Sequence, residues 1–232
     1  MATYLQELMY DLKNRGFSHM KDNSSERITT ESQLREIYDR PSVQAVAKEL
    51  DRLDGYCQQF IALSPFVLLA TTDQLGGVDI SPRGDGPGFV HCVDERTLHL
   101  PDRRGNNRLD SLTNIVKTPK MALLFMIPGF VECLRVNGSA HVTQDMSVLK
   151  RAKVQGKAPM SVIVVNVEKA FFQCGKALMR SRLWDASAKP NRDLMPGLGR
   201  IIQEQISGQP LTDNEADSED DLINHSYRNH LY

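Results

Sequence analysis

The sequence predicts a mainly β protein with added helices, a β-barrel of α+β type carrying a helical leader ahead of it. Three observations predict it. Short apolar segments with strand periodicity crowd between Pro65 and Lys176. The gaps between them carry turn chemistry, and helical spacing is confined almost wholly to the flanks. Six or seven strands with one or two intervening helices fit a barrel better than a parallel α/β sheet. At 232 residues the chain has room for one large domain with appendages. Its 41% hydrophobic and 25% charged residues fit a soluble globular protein whose core needs neither disulfide nor metal. A formal net charge of −1 argues against a general nucleic-acid binder.

The spacing predicts helices from about Thr30 to Ala62. Leu34, Ile37 and Tyr38 share one face, and Pro41 breaks the run. Ser42 can cap a second helix bearing Val43, Val46, Ala47 and Leu50, and a third pattern runs from Leu53 to Leu63. Residues 1–62 read as a leader that packs against the barrel, 63–177 as the barrel itself, and 178–232 as a carboxyl-terminal segment. The opening MATYLQELMYDLKNRG has early acidic residues and no continuous apolar run, unlike a signal peptide. No stretch approaches the roughly 20 apolar residues of a membrane span, so a cytoplasmic protein is expected, without a membrane partner. Cys57, Cys92, Cys133 and Cys174 lie far apart among apolar neighbours. They suggest buried thiols in a reducing compartment, with no disulfide framework and no metal site.

Strands are expected at Phe66–Ala70, Val78–Ser81, Gly88–Val93, Thr97–Leu100, Met121–Ile127, Val131–Thr143 and Ser161–Cys174. Asp73–Gly77, Asp85–Pro87 and Asp94–Arg96 suit antiparallel hairpins, and Gly138 suits a bulge or bend. After Leu178 come MRSRLWDASAKPNRD, a short helix near Arg200–Ile206, and an acidic tail at Asp213–Asp221 that reads as mobile or partner-draped.

The stretch LHLPDRRGNNRLDSLTNIVKTP is the richest in chemistry. A strand ends at Leu100, Pro101 and Gly105 mark a turn, and a helix is expected from Asn106 or Asn107. That helix would place Leu109, Leu112 and Val116 on one face and end at Pro119. Arg103, Arg104, Asn106, Asn107 and Arg108 then gather at a helix start. Cations oppose the dipole there unless an anion lies between them. A phosphate monoester fits, since guanidinium forks and helix amides both donate to it. A solvated basic loop paired with Asp102 and Asp110 fits the same residues. A second cluster, ISPRGDGPGF, puts Arg83 near a strand end. It can reach the same phosphate, or it can pair with Asp85 in an ordinary hairpin.

With both clusters in hand, the chain resembles the pyridoxamine 5'-phosphate oxidase-related FMN-binding family over roughly residues 60 to 176. The resemblance rests on PFVLLATTDQLGGVDISPRGD, TLHLPDRRGNNRLDSLTNIVKTPKMALLFMIP and VECLRVNGSAHVT, in that order. The R-R-G-N-N-R turn is similar to that of the family's divergent, uncharacterised flavoproteins. The resemblance implies an FMN-binding split β-barrel that forms a homodimer, with FMN held at the subunit interface. It assigns the FMN phosphate to Arg83, Asn106 and Arg108, with Asn107 between the last two and Arg103 and Arg104 as further cations. Ile80, Ser81 and Pro82 would run beside the isoalloxazine ring.

From the partner subunit's later strands and carboxyl-terminal part, Gln173, Cys174 and Trp184 are candidates for the flavin. Arg180 and Arg182 are candidates for an anionic substrate. Trp184 reads equally as a plug in the dimer seam. The implied activity is that of an oxidoreductase acting on a small organic substrate. A flavin carrier or sensor without turnover, or a haem-binding split barrel, are the alternatives. No acid–base residue stands out, and His91, His99 and His141 read as structural. The ending NHSYRNHLY lacks the Arg-x-His pattern that pyridoxamine phosphate oxidation in the family relies on.

Overall fold

The computed structural model describes residues 27–231, and the reading of the first sixteen residues lies outside them. The chain divides into two compact units, Met1–Val43 and Gln44–Tyr232. The first holds α1 (Glu31–Ile37), whose Thr30 and Gln33 form a reciprocal capping box. This helix ends ahead of Pro41 as the sequence requires. It buries none of its residues, so Leu34, Ile37 and Tyr38 form an exposed face.

A short helix, α2 (Val43–Ala47), comes directly after Ser42. Leu50 does not extend it. Its backbone N–H and C=O pair instead with Ala170, filling an edge of the sheet. Asp54 then caps α3 (Gly55–Leu63) by accepting from the Cys57 N–H at 2.8 Å, and the helix buries Cys57, Phe60 and Ile61.

Seven strands make up the body of the fold: β1 (Phe66–Thr72), β2 (Val78–Gly84), β3 (His91–Cys92), β4 (Thr97–Asp102), β5 (Lys120–Met126), β6 (Cys133–Thr143) and β7 (Ser161–Gln173). They form one antiparallel sheet in the order β2-β1-β5-β6-β7-β4-β3. Alternate residues point to one side, and there Val67, Leu69, Leu98, Leu100, Leu123, Phe125, Leu134, Val136, Ile163 and Val165 make the core. The sheet is that of a split barrel. The strand expected at Gly88–Val93 shrinks to two residues, because Phe89 closes a turn onto the Gly86 carbonyl.

Gly138 lies where the β6–β7 register slips by one residue, as the sequence anticipates. A Cβ there would collide with the Asn166 carbonyl oxygen, so the bulge requires glycine.

The helix expected from Asn106 starts later, as α4 (Asp110–Lys117). Leu109 precedes it in the left-handed region, at φ 61°, which breaks the helical path. Ser111 and Ile115 are its buried residues, while Leu109 and Val116 are exposed. The arginines therefore sit in a loop ahead of the helix, whose own first residue is the acidic Asp110.

Asp145 caps α5 (Met146–Arg151), a helix the periodicity does not reveal. Leu149 and Ala152 lie against Val162 on the outer side of the sheet. After α6 (Lys176–Ser181) come α7 (Leu198–Ser207) and α8 (Asp213–Asn229). The acidic tail is thus helical. Thr212 and Glu215 close a capping box, and acidic residues in the first turn suit the helix dipole. Gly199 lets the α8 backbone at Glu219 and Asp220 approach, and Asp220 accepts from the Gly199 N–H at 2.7 Å.

The cysteines correct the uniform reading of buried thiols. Cys57 and Cys133 are buried, Cys92 is half-buried, and Cys174 is exposed. Among the described residues no disulfide forms, and no group of three potential ligands could hold a metal ion. No described helix is long and apolar enough to cross a membrane.

Candidate functional site

Strand β2 lies at one edge of the sheet, and its residues alternate in burial. Asp79, Ser81 and Arg83 stand directly opposite Thr71, Leu69 and Val67 of β1, all three buried. Directly paired residues share a face, so these three polar side chains point inward. Val78, Ile80 and Pro82 point outward and are exposed.

The inward groups are bonded in series. Arg83 Nε donates to Ser81 Oγ at 3.3 Å, Ser81 Oγ lies 2.9 Å from Ser111 Oγ, and Ser111 Oγ donates to Asp79 Oδ2 at 2.7 Å. Ser111 reaches this chain from α4 and is almost fully buried. Arg83 Nη1 also meets Asp102 Oδ1, at the end of β4, at 2.5 Å. Four strands lie between β2 and β4 in the sheet order, so this ion pair spans the split.

The loop after β4 completes the enclosure. Arg103 is tied down by Asp85 Oδ2 at 2.7 Å and by the Ala152 carbonyl at 2.9 Å. Neither sequence reading foresees this arrangement: Asp85 pairs with Arg103, not with Arg83. Asn106 Oδ1 accepts from the Arg108 N–H at 3.1 Å, and Asn107 takes a left-handed φ of 59°. Arg108 Nε donates to Asp110 at 2.8 Å. That bond, then the Asp110 charge, pushes the guanidinium pKa up, with Asp79 adding to it. Among the described residues Arg104 has no carboxylate partner.

These groups line an open cavity of about 1230 Å³. Five cations, Arg83, Arg103, Arg104, Arg108 and Lys157, stand against four carboxylates, Asp79, Asp102 and Asp110 in the lining and Asp85 bonded to Arg103 behind it, leaving the cavity net positive. The pairing does not use up the donors. A guanidinium carries five N–H groups, and Arg108 commits only Nε.

The structure brings together Ser81, Pro82, Arg83, Arg103, Arg104, Asn106, Asn107 and Arg108, all anticipated from the sequence. Gln173, Arg180, Arg182 and Trp184 do not line this cavity. Gln173 faces Cys133 across the β6–β7 ladder, and Trp184 Nε1 donates to the Phe130 carbonyl at 2.7 Å. Arg182 is held by Asp185 and Ser187, and Arg180 sits in the last turn of α6. The sequence reading misses Asp79, Ser111 and the segment Lys157–Ser161. Strand periodicity could have paired Asp79 with Ser81 and Arg83. Nothing in the pattern of α4 marks Ser111 as the inward residue.

Several solved structures resemble the chain over about half its length. The HupZ protein of Group A Streptococcus shares 18% identity, covering 53% of this chain and 94% of its own, with a TM-score of 0.44. A pyridoxamine 5'-phosphate oxidase candidate from Lactobacillus delbrueckii shares 23%, covering 53% and 98%, with a TM-score of 0.43. An FMN-binding protein from Syntrophomonas wolfei shares 16%, covering 50% and 82%, with a TM-score of 0.40. No curated protein sequence matches. The family model for pyridoxamine 5'-phosphate oxidase matches residues 53–174, more than half of the chain. That span runs from the start of α3 to the end of β7 and contains β2, β4 and the arginine loop. On that match, the chain belongs to the pyridoxamine 5'-phosphate oxidase family.

Proposed function

We propose that the chain is a flavoprotein that holds FMN in the cavity between β2 and the 103–109 loop. The observation that carries this reading is the convergence of Arg83, Arg104, Arg108, Asn106 and Asn107 on one net-positive cavity. A phosphate monoester dianion suits a net-positive cavity and the donors these side chains retain. Arg104 and Arg108 bind the phosphate, and Asn106 and Asn107 shape the turn around it. Arg83 reaches it from β2, while Arg103 supports the loop through Asp85 and Ala152. Ser81 flanks the ring, with the outward-facing Pro82 at the cavity rim, along a strand whose outer edge has no ladder partner among the described residues.

Bound FMN would supply electron transfer, and the chain supplies binding, orientation and shelter from water. The activity we propose is that of an oxidoreductase acting on a small organic substrate. The working unit is a homodimer. Val78, Ile80 and Pro82 lie exposed beside Ala70 and Leu68 on the outer face, an apolar surface suited to a second copy. Gln173, Trp184, Arg180 and Arg182 would then serve the partner subunit's site.

The test is the spectrum of the freshly purified protein, with mass identification of the released ligand. Oxidised flavin absorbs near 450 nm, roughly, and haem gives a distinct Soret band. Protein that is colourless and takes up no added FMN overturns the proposal. Anaerobic mixing of the loaded protein with NADH or NADPH then separates an enzyme from a carrier.

A further inference from the structure

We propose that Ser81 reads the hydrogen-bond polarity of the bound ligand, accepting an N–H and disfavouring a bare acceptor, because Asp79 and Ser111 fix the direction of its hydroxyl. A carboxylate can only accept, so the Ser111 proton points to Asp79 Oδ2, 2.7 Å away. A serine has one proton. Ser111 therefore has none left for Ser81, and the 2.9 Å contact between the hydroxyls must be donated by Ser81. Ser81 in turn accepts from Arg83 Nε at 3.3 Å. Its proton is spent and one lone pair is occupied. A second lone pair remains on a residue that lines the cavity. The chain Arg83, Ser81, Ser111, Asp79 thus runs one way, from a cation to an anion. Ser111 is 3% exposed, so water does not compete for its bonds.

The consequence for the ligand rests on the flavin reading. Reduction converts a bare ring nitrogen of FMN into an N–H. An acceptor-only Ser81 favours that reduced form over the oxidised one. Asp79 and Ser111 are positioning residues here, since both act through Ser81.

The experiment measures the Kd of oxidised FMN, and of FMN chemically reduced under anaerobic conditions, for the wild type and four variants. Ser111→Ala frees the Ser81 proton to turn into the cavity and leaves every charge in place. It should move the ratio of the two Kd values about three- to tenfold toward the oxidised form. Asp79→Asn, an isosteric change that lets the chain reverse, should move it in the same direction. The sign is decisive. If Asp79 acted only by its charge, its removal would favour the more negative, reduced form. In a Ser81→Ala background, Asp79→Asn should change the ratio no further. An unchanged ratio in Ser111→Ala, a shift toward the reduced form in Asp79→Asn, or additivity with Ser81→Ala overturns the inference while the flavin reading stands. A wild-type chain that binds no FMN in either state overturns both.

Discussion

Arg83 on β2 and Asp102 on β4 meet at 2.5 Å, although four strands separate them in the sheet. The pair is a side-chain clasp where the barrel has no ladder. Its side chains are 20% and 15% exposed, so it is neither a surface pair nor a fully buried one. Asp102→Asn keeps the shape and removes the charge. We expect a loss of about 1–3 kcal/mol, less than the cost of breaking a fully buried pair. The measurement is urea unfolding, with a lower midpoint and an unchanged slope. An unchanged midpoint would show that the clasp contributes nothing to closure.

Gly138→Ala tests the bulge. The added methyl meets the Asn166 carbonyl, a backbone atom held in the β6–β7 ladder that cannot swing away. We expect at least about 1–3 kcal/mol of destabilisation, the range for overpacking a tight site. Gly105→Ala is the control, since nothing lies near its Cβ position. Equal midpoints for the two variants would refute the account.

Most of this frame is legible in the sequence because short apolar runs and the mostly alternating Val131–Thr143 segment are parted by turn residues. In the fold the burial of β1 and β5 alternates cleanly, and Gly138 announces its bulge. Features decided by single side chains are not legible. The start of α4 depends on the left-handed Leu109, and α8 reads as a polar tail until its capping box and buried Ala216 are seen. At the site, the arginines stand out by charge, while Asp79 and Ser111 look ordinary until folding sets them 2.7 Å apart. Which carboxylate each arginine takes is a matter of tertiary distance, so the sequence alone matches Asp85 to the wrong partner.

Stability should fall on mild acidification. His91 and His99 are cross-strand neighbours. Burial lowers the pKa of His91 first, then the charge of Arg103. For His99 burial again leads, followed by His91, Arg151 and His141, with Asp94 opposing. A depressed folded pKa means the unfolded chain binds protons more readily. The contribution is therefore complete above the ordinary value of 6.5 and is lost as pH falls toward the folded values. Thermal midpoints from about pH 7.5 to about pH 5 should drop more in the wild type than in His99→Gln. Parallel curves would count against this pair.

Thiol reactivity should separate the four cysteines. Burial pushes the Cys57 thiol up to about 12 and the Cys92 thiol up to about 11, and it raises Cys133 as well. The thiolate is the nucleophile, so these react slowly at neutral pH. Cys174 is exposed at the end of β7. In the folded protein, a disulfide reagent should show a single fast phase of one thiol, absent in Cys174→Ser. A fast phase that survives that substitution would mean another thiol opens readily.

Arg108→Ala addresses the phosphate reading most directly. Arg108 lines the cavity, commits Nε to Asp110, and retains its terminal N–H groups for an anion. Losing a charge-assisted contact of this kind should weaken FMN binding about tenfold or more. Arg108→Lys should recover only part of it, since a point charge cannot reproduce the fork. His141→Ala should leave binding unchanged, because His141 lies on β6 outside the cavity lining. Riboflavin, which lacks the phosphate, supplies the internal comparison: its affinity should barely respond to Arg108→Ala. If FMN and riboflavin lost affinity equally, Arg108 would be shaping the loop, and the phosphate would have to rest on Arg83 and Arg104.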